Sequence, residues 1–409
     1  MCSLETEGVV SGYCKPAWEC IRQLFLQNFA EQLDIGATLC VYHRNQCVVD
    51  LTGGWFNIED HAKPYQHNTL QIVYSTGKGI IATALAICVQ RGWLDYEECV
   101  AKYWPEFGQN GKQNIKIKDL LSHRAGLPVI DDNSLKLEDV HDDPTRIVQL
   151  LVKQKPYWEP NVGGHGYHAL TFPYLANELI RRVDIVKHRS MGQFIEEEIT
   201  PILDSCEYFV AKRLPKQRAS QVCASILPPP ELSSDQPILN LLQYRAFTLN
   251  GLIQLPPIDN TDERLSIINI FTNARSLARL YASLLFTEDL LTSKTLVEAI
   301  RNNTPRNEPD QILDDLPTKF SQGGFMLDDT VVKDFGNVFG HWGKIVNLFL
   351  ILRISSVVCL STGLGGSIAF ACPDKQLSFA YVPNKLNLDM SKTNKRIQRI
   401  LDAIRTLID

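Results

Sequence analysis

A serine and a lysine stand three residues apart in Ser75-Thr76-Gly77-Lys78, where an extended run, Leu70–Tyr74, meets the strongly apolar stretch GIIATALAICVQRG. Spacing i, i+3 places the hydroxyl and the amine on one helical face. A serine hydroxyl is a poor nucleophile until a base takes its proton. A lysine serves as that base only when burial or a neighbouring cation brings its pKa toward neutrality. The apolar stretch supplies such burial, and the start of a helix favours negative charge developing near Ser75. The same four residues also suit an N-cap serine followed by a lysine that snorkels to solvent.

Two further stretches carry chemistry. Gly166-Tyr167-His168-Ala169 follows Trp158-Glu159-Pro160 and precedes a helical pattern from 171, so Tyr167 is placed to present a phenol into a cleft or to pack beneath the loop. A phenol beside ammonium groups ionises more readily and can relay protons. His341-Trp342-Gly343 and Gly363-Leu364-Gly365-Gly366-Ser367 are rich in small residues. Small residues on a strand let a ligand approach the backbone, and a free N–H there can form half of an oxyanion hole; a hairpin with no ligand fits as well. Other conspicuous residues read as structural. Ser122–Leu127 is a helix end with Gly126 as the stop, and His123 bonds backbone there. Asn273-Ala274-Arg275 caps and anchors a helix, and Arg181-Arg182 forms a solvated face.

The surrounding pattern says what must position these groups. Residues 17–33 place Ile21, Leu24, Phe25 and Phe29 at helical spacing, with Gly36 as the stop. ATLCVYHRNQCVVDLTGGW reads as two β-runs around His43-Arg44-Asn45-Gln46. The stretch from Ser75 is apolar on nearly every side, as a buried helix would be, with Gly92 as its stop. Helices are predicted over 95–103, 116–123, 144–154, 171–182, 191–198, 274–286 and 292–302, and residues 212–262 read as less regular. From about 320 the pattern returns to strand, with GSIAFACPDKQLSFAYVPN forming two β-runs around Pro373–Gln376, and a last helix spans 393–408. The pattern predicts an α+β fold: one sheet built from both ends of the chain and flanked by the terminal helices, a helical lobe between, and a site in the cleft.

Composition removes several classes of function. The chain has 409 residues, 44% hydrophobic and 21% charged, with net charge −5. No basic footprint suggests nucleic acid. The eleven cysteines are scattered, without a CxxC pair or metal-ligand spacing, so no metal site is expected and a reducing compartment fits best. The N-terminus has early acids and no apolar core of a signal peptide. The one membrane-like tract carries Arg353 at its middle, and its unbroken apolar runs fall short of the ~20 residues a span needs. The expectation is a soluble, cytoplasmic protein with no membrane span; homo-oligomerisation is compatible with the sequence.

These motifs, in this order, resemble the serine β-lactamase-like family of class C β-lactamases, D,D-peptidases and β-lactamase-fold esterases, with the esterase-like branch and animal β-lactamase-domain proteins nearest. Ser75-Thr76-Gly77-Lys78 matches its Ser-x-x-Lys motif, Tyr167-His168-Ala169 its tyrosine motif, and His341-Trp342-Gly343 its third motif in histidine form. Gly92-Trp93-Leu94-Asp95, Tyr103–Phe107, Leu120–Leu127 and Phe370–Asp374 also match. The resemblance implies a β-lactamase/transpeptidase-like fold over 17–407, with a sheet lobe of about 17–74 and 320–407 and a helical lobe of about 75–319. It implies an acyl-enzyme on Ser75, proton handling by Lys78 and Tyr167, and no cofactor or metal. The oxyanion hole would use the N–H of Ser75 and one just after the third motif, in the region of His341, Trp342, Gly343, Leu364 and Gly365. His168-Ala169 replaces the polar pair that β-lactamases use to hold an amide, and His341 replaces a carboxylate-binding lysine. Hydrolysis of a small-molecule ester or amide is therefore expected, with ester favoured; acyl transfer and a non-catalytic scaffold are the alternatives. Pro173 stands where the family often has glycine.

The third motif is interrupted. Without residues 344–363 the chain would read His341-Trp342-Gly343-Leu364-Gly365-Gly366-Ser367, the family's full pattern. The 20 intervening residues are dominated by Ile, Val, Leu, Phe and Cys, with no proline and no glycine before the last. Site-loop insertions are usually polar and turn-rich, whereas Leu348–Leu352 has the makeup of an aggregation-prone strand. Codons for Gly343-Lys344 and Ser361-Thr362-Gly363 can spell a splice donor and acceptor in one phase, so the tract reads as translated intron. A flap over the cleft or an apolar partner contact is the competing reading. In the uninterrupted form the second oxyanion N–H belongs to Leu364; here it belongs to Lys344. Loss of one such donor typically lowers the rate ~10²–10³-fold. Deleting 344–363 is therefore expected to raise hydrolysis of a short-chain p-nitrophenyl ester by at least that factor. Equal activity of the two forms refutes it, and cDNA sequenced across the joints tests the intron origin directly.

Overall fold

The computed structural model describes residues 10–57, 63–141, 144–159, 163–204, 206–210, 213–226, 241–252, 270–313, 318–327, 335–342, 366–386 and 395–409. Ten strands lie among them: β1 Val10–Cys14, β2 Gly36–His43, β3 Gln46–Gly54, β4 Leu70–Ile72, β5 Phe209–Val210, β6 Val222–Cys223, β7 Ile270–Thr272, β8 Phe339–Trp342, β9 Ile368–Cys372 and β10 Leu377–Pro383.

The main sheet has the order β1-β3-β2-β10-β9-β8 and is antiparallel throughout. Its first hairpin turns at Arg44 (φ 49°) and Asn45 (φ 61°), the two left-handed residues that match the twist of a two-residue hairpin. The second turns at Pro373–Gln376, where Gln376 donates to Pro373 O at 3.1 Å. The two ends of the chain join at β2 and β10, in register from Ala37↔Pro383 to His43↔Leu377. This is the sheet expected from the sequence. β1, which the sequence pattern does not show, adds an edge strand.

Side chains alternate along β10, and the two faces bury different helices. On one face Tyr381 packs edge-on against Phe25 of the helix Glu19–Ala30, with centroids 5.9 Å apart. Its hydroxyl bonds Asp34 and accepts from Asn28 Nδ2. Buried Asp34 in turn pairs with buried Arg396 of the last helix, Lys395–Ile408, at 2.6 Å. On the other face Ser378 donates to Ala278 O at 2.6 Å, which seats the helix Ala274–Phe286. That helix is capped by Asn273, whose side chain accepts from Ser276 N, and is anchored where Arg275 pairs with Asp50.

The middle of the chain is mainly helical, as expected, but it also holds a second sheet, β5-β7-β4-β6, which the sequence pattern does not show. Its strands are two or three residues long, too short to leave a period. β4 leads into a 3₁₀ turn, Tyr74–Gly77, and then the helix Lys78–Gln90. That helix is buried from Lys78 through Cys88 and packs against the helices Phe172–Val183, Met191–Glu198 and Ser293–Ala299. Pro173 falls in the first turn of Phe172–Val183, where no partner for its missing N–H is needed. Several predicted helices are shorter than expected. The stretch 95–103 is helical only at Val100–Tyr103, and 116–123 only at Ile117–Leu121. The helix Leu241–Thr248 lies inside the stretch read as irregular. The first helix ends at Ala30, and Gly36 opens β2 instead of stopping the helix. Arg182 is not simply solvated: it pairs with Glu178 and Glu106 and lies over the Trp104 ring. No helix among the described residues is long and apolar enough to cross a membrane.

Gly79 shows how tightly the two halves meet. A Cβ there would lie 2.0 Å from the hydroxyl of Tyr281, a residue of Ala274–Phe286 whose ring packs against Phe339 of β8. That hydroxyl is buried with no hydrogen-bond partner among the described residues. Gly79→Ala is expected to destabilise by ~1–3 kcal/mol despite alanine's better helix propensity. Tyr281→Phe alone should stabilise by about 1 kcal/mol, and the double variant should exceed Gly79→Ala in urea or thermal unfolding.

Candidate active site

The turn Tyr74–Gly77 sets the Ser75 hydroxyl against the start of the buried helix. Tyr74 takes a left-handed φ of 46°, and its own hydroxyl is held at 3.0 Å by Ser225 Oγ. The backbone strain is carried next to the serine, not by it. Thr76 donates from Oγ1 to Ser367 O at 3.0 Å, tying this turn to the residue just before β9.

Three of the residues singled out from the sequence come together here. Lys78 Nζ lies 3.3 Å from Ser75 Oγ, and Tyr167 Oη lies 2.9 Å from the same oxygen. All three are buried; Ser75 retains 9% of its surface. The pairing of Ser75 and Lys78 spans a 3₁₀ turn, whose i, i+3 side chains superpose more closely than those of an α-helix. The Lys78 amine also lies 5.0 Å from the Tyr167 ring centroid.

Burial alone lowers Lys78 from the usual 10.5 to about 7. Tyr167 moves the other way. Burial pushes its phenol well above the usual range and the Asp310 charge adds to that, while the bond to Ser75 offsets part. Near neutral pH the amine is therefore the group that sheds its proton, and the phenol keeps its own.

Histidines pack around this trio. His123 lies edge-on to the Tyr167 ring at 4.9 Å, and its Nδ1 accepts from the His168 N–H. That is the backbone role expected of it, although His123 itself (φ 64°) takes the left-handed place that follows Ile117–Leu121, with Gly126 three residues on. Burial pushes His123 well below its usual pKa. His168 accepts from Leu127 N at Nε2 (2.8 Å) and bonds Gly166 O through Nδ1 (2.7 Å), so both ring nitrogens serve the backbone. Burial lowers its pKa to about 3. His341, fully buried in β8, lies 6.1 Å from the Tyr167 ring. Trp342 ends β8. Gly343, Leu364 and Gly365, with the whole tract 344–363, lie outside the described residues. A cavity of about 420 Å³ lies elsewhere, lined by Ser11, Thr52, Trp55, Tyr65 and His67, and holds none of the trio. Among the described residues no group of His, Cys, Asp or Glu side chains is placed to hold a metal ion.

None of Asp310, Thr318 and Phe320 stands out in the sequence; Thr318 bonds Asp310, and Asp310 and Phe320 contact Tyr167. Phe320 stacks on its ring at 5.9 Å, and Asp310 accepts from its N–H at 3.1 Å. Asp310 lies 143 residues away in the chain, in no motif, so nothing local marks it.

A fold with strands from both ends of the chain, a Ser-x-x-Lys turn at the head of a buried helix and a loop tyrosine on the serine oxygen defines a class of serine-centred proteins. The chain belongs to the Beta-lactamase family, whose model matches residues 25–403. It is 26% identical over 392 residues to the esterase/beta-lactamase LipL of Mycobacterium tuberculosis (strain ATCC 25618 / H37Rv), covering 92% of this chain and 83% of that protein. Two solved structures are similar at 27% identity. One is a penicillin-binding protein homolog from Caulobacter crescentus, with TM-score 0.79 over 97% of this chain and 99% of that one. The other is EstA from Arthrobacter nitroguajacolicus Rue61a, with TM-score 0.76 over 97% and 98%.

The lysine's burial has a thermodynamic signature. Between pH 7 and 10.5 the unfolded chain binds a proton that the folded chain does not, so this group's contribution to stability rises with pH across that window. Below it, the full penalty applies, on the order of 5 kcal/mol at about 1.4 kcal/mol per unit. Lys78→Met is therefore expected to raise the unfolding free energy at pH 6–7 by roughly that amount. The gain should vanish toward pH ~10.5 in urea melts; a pH-independent gain contradicts the assignment.

Proposed function

We propose that the protein is a serine hydrolase of the esterase or amidase type that works through an acyl-enzyme on Ser75. The observation that carries the reading is the placement of Ser75 Oγ between a buried, easily deprotonated amine at 3.3 Å and a protonated phenol at 2.9 Å. Lys78, neutral above about pH 7, takes the Ser75 proton as the oxygen attacks the carbonyl carbon. Tyr167 then passes a proton to the leaving group, and water releases the acyl chain with the same pair reversed.

Esters are the favoured substrates. Both ring nitrogens of His168 are committed to backbone, and Ala169 is apolar, so neither supplies the free polar side chain that would orient a substrate amide. His341 is fully buried, which removes it as a surface cation for a substrate carboxylate.

Mass spectrometry after a fluorophosphonate probe should show one adduct, on Ser75, lost in Ser75→Ala. Turnover of p-nitrophenyl butyrate should exceed that of a chromogenic β-lactam, and Tyr167→Phe should lower it ~10²–10⁴-fold. Because the base works only when neutral, kcat/KM should rise about tenfold per pH unit below about 7 and level off above. A probe adduct elsewhere, or full activity in Ser75→Ala, sinks the reading.

A further inference from the structure

Tyr167 sits on a loop, between the bend at Gly163 and the helix Phe172–Val183, with no sheet or helix of its own to hold it. Its oxygen is nonetheless held at hydrogen-bond distance from Ser75. The holding groups come from residues 308–320. Asp310, fully buried, accepts on Oδ1 from Tyr167 N (3.1 Å), Ile312 N (2.9 Å) and Leu313 N (3.1 Å), and on Oδ2 from Thr318 Oγ1 (2.7 Å). His165 forms a parallel bridge with Asp310, receives Gln311 N on its carbonyl at 3.0 Å, and meets Thr318 Oγ1 with Nε2 at 2.9 Å. Two residues earlier, Glu308 takes Gly164 N at 2.9 Å and Arg124 at 2.6 Å. Two residues after Thr318, Phe320 lies parallel to the Tyr167 ring within 5°.

We propose that Asp310 is a positioning residue for the acylation step, acting through Tyr167. It gathers the tyrosine loop, Ile312, Leu313 and Thr318 onto one buried carboxylate, which fixes the phenol over Ser75. An amide at this place keeps the oxygen that holds the three N–H groups and can donate to the Thr318 hydroxyl, but it loses the negative charge that strengthens those bonds, so its hold on both segments slackens. A misplacement of about an ångström at a proton-transfer group is enough to lower a rate ~100-fold. The charged and titratable groups facing Tyr167 are Lys78 from its helix, His123 from the turn after Ile117–Leu121, His341 from β8 and Asp310 itself. Asp310 is the anion of this set.

The inference rests on the reading that Tyr167 serves the Ser75 reaction, and a double-mutant cycle separates the two. The rate of Ser75 phosphonylation by a fluorophosphonate probe is measured for wild type, Asp310→Asn, Tyr167→Phe and the pair. Asp310→Asn is expected to slow labelling 10–100-fold, and to add less than twofold once Tyr167 is already phenylalanine. Thr318→Val should give a smaller loss of the same kind, rescued by Thr318→Ser, and serves in the cycle if Asp310→Asn does not fold. A wild-type rate in Tyr167→Phe overturns the reading on which this stands. An impaired Tyr167→Phe with a silent Asp310→Asn, or with additive effects, overturns the positioning role alone.

Discussion

The taking of one amine out of water organises the site. Lys78 opens a helix that is buried through Cys88, and burial alone brings its pKa to about 7. In water a lysine holds its proton three orders of magnitude too tightly to serve as a base at neutral pH. The apolar helix, unremarkable as packing, is thus the electrostatic instrument of the site. Its surroundings keep to the same rule. His123 and His168 are pushed down by burial, so they stay neutral beside the amine and donate or accept without adding charge. The anion next to Tyr167, Asp310, is satisfied by three backbone N–H groups and a hydroxyl, and its charge disfavours a phenolate beside the amine.

The fold brings these groups together through a few long-range joins. β2 and β10 splice the two ends of the chain into one sheet, and β8 and β9 extend it to the place where His341 meets Tyr167. The helix Ala274–Phe286 lies on that sheet and touches the serine helix at Gly79, so the sheet and the helical elements share one buried contact beside the site. Thr76 bonds Ser367 across the same gap. The β2–β10 pairing, the Gly79–Tyr281 contact and the Thr76–Ser367 bond each join residues more than 200 positions apart, which is why no short fragment of this chain would hold the trio in place.

Much of this was legible because it repeats with a short period. The Ser75–Lys78 spacing, the all-round apolar helix and the alternating β-runs at both ends carry their structure within a few residues, and the motif resemblance adds Tyr167. What stayed hidden was either too short or too distant. The strands of the second sheet have two or three residues and no period to detect. Leu241–Thr248 sits in a stretch rich in loop residues, and β1 has only partly buried ends. Asp310 is one of four acids between 308 and 315, and what sets it apart is four hydrogen bonds made only after folding. His123 bonds backbone as its place in the sequence suggests, and it takes a left-handed φ of 64° three residues ahead of Gly126, which is left-handed too at 70°. Local sequence marks only the glycine, because the left-handed place of His123 goes with its packing against Tyr167, Phe172 and Phe320, which exists only after folding.

The interrupted third motif separates two demands that usually travel together. β8 and β9 pair from Phe339↔Ala371 to Trp342↔Ile368, so 25 residues connect their ends where five would remain without 344–363. For a flexible connection, closure entropy grows only with the logarithm of length, and this fivefold difference costs about 1.5 kcal/mol. A sheet buried on both faces tolerates that, and the register that carries His341 opposite Ala369 is compatible with it. Catalysis is less forgiving. A backbone N–H aimed at a developing oxyanion works only when its position is set to within a fraction of an ångström. Added length between β8 and β9 thus costs the fold little, whereas it would cost the proposed reaction much if the strand end supplies such an N–H, so a folded chain with an intact Ser75, Lys78 and Tyr167 is not by itself a measure of turnover.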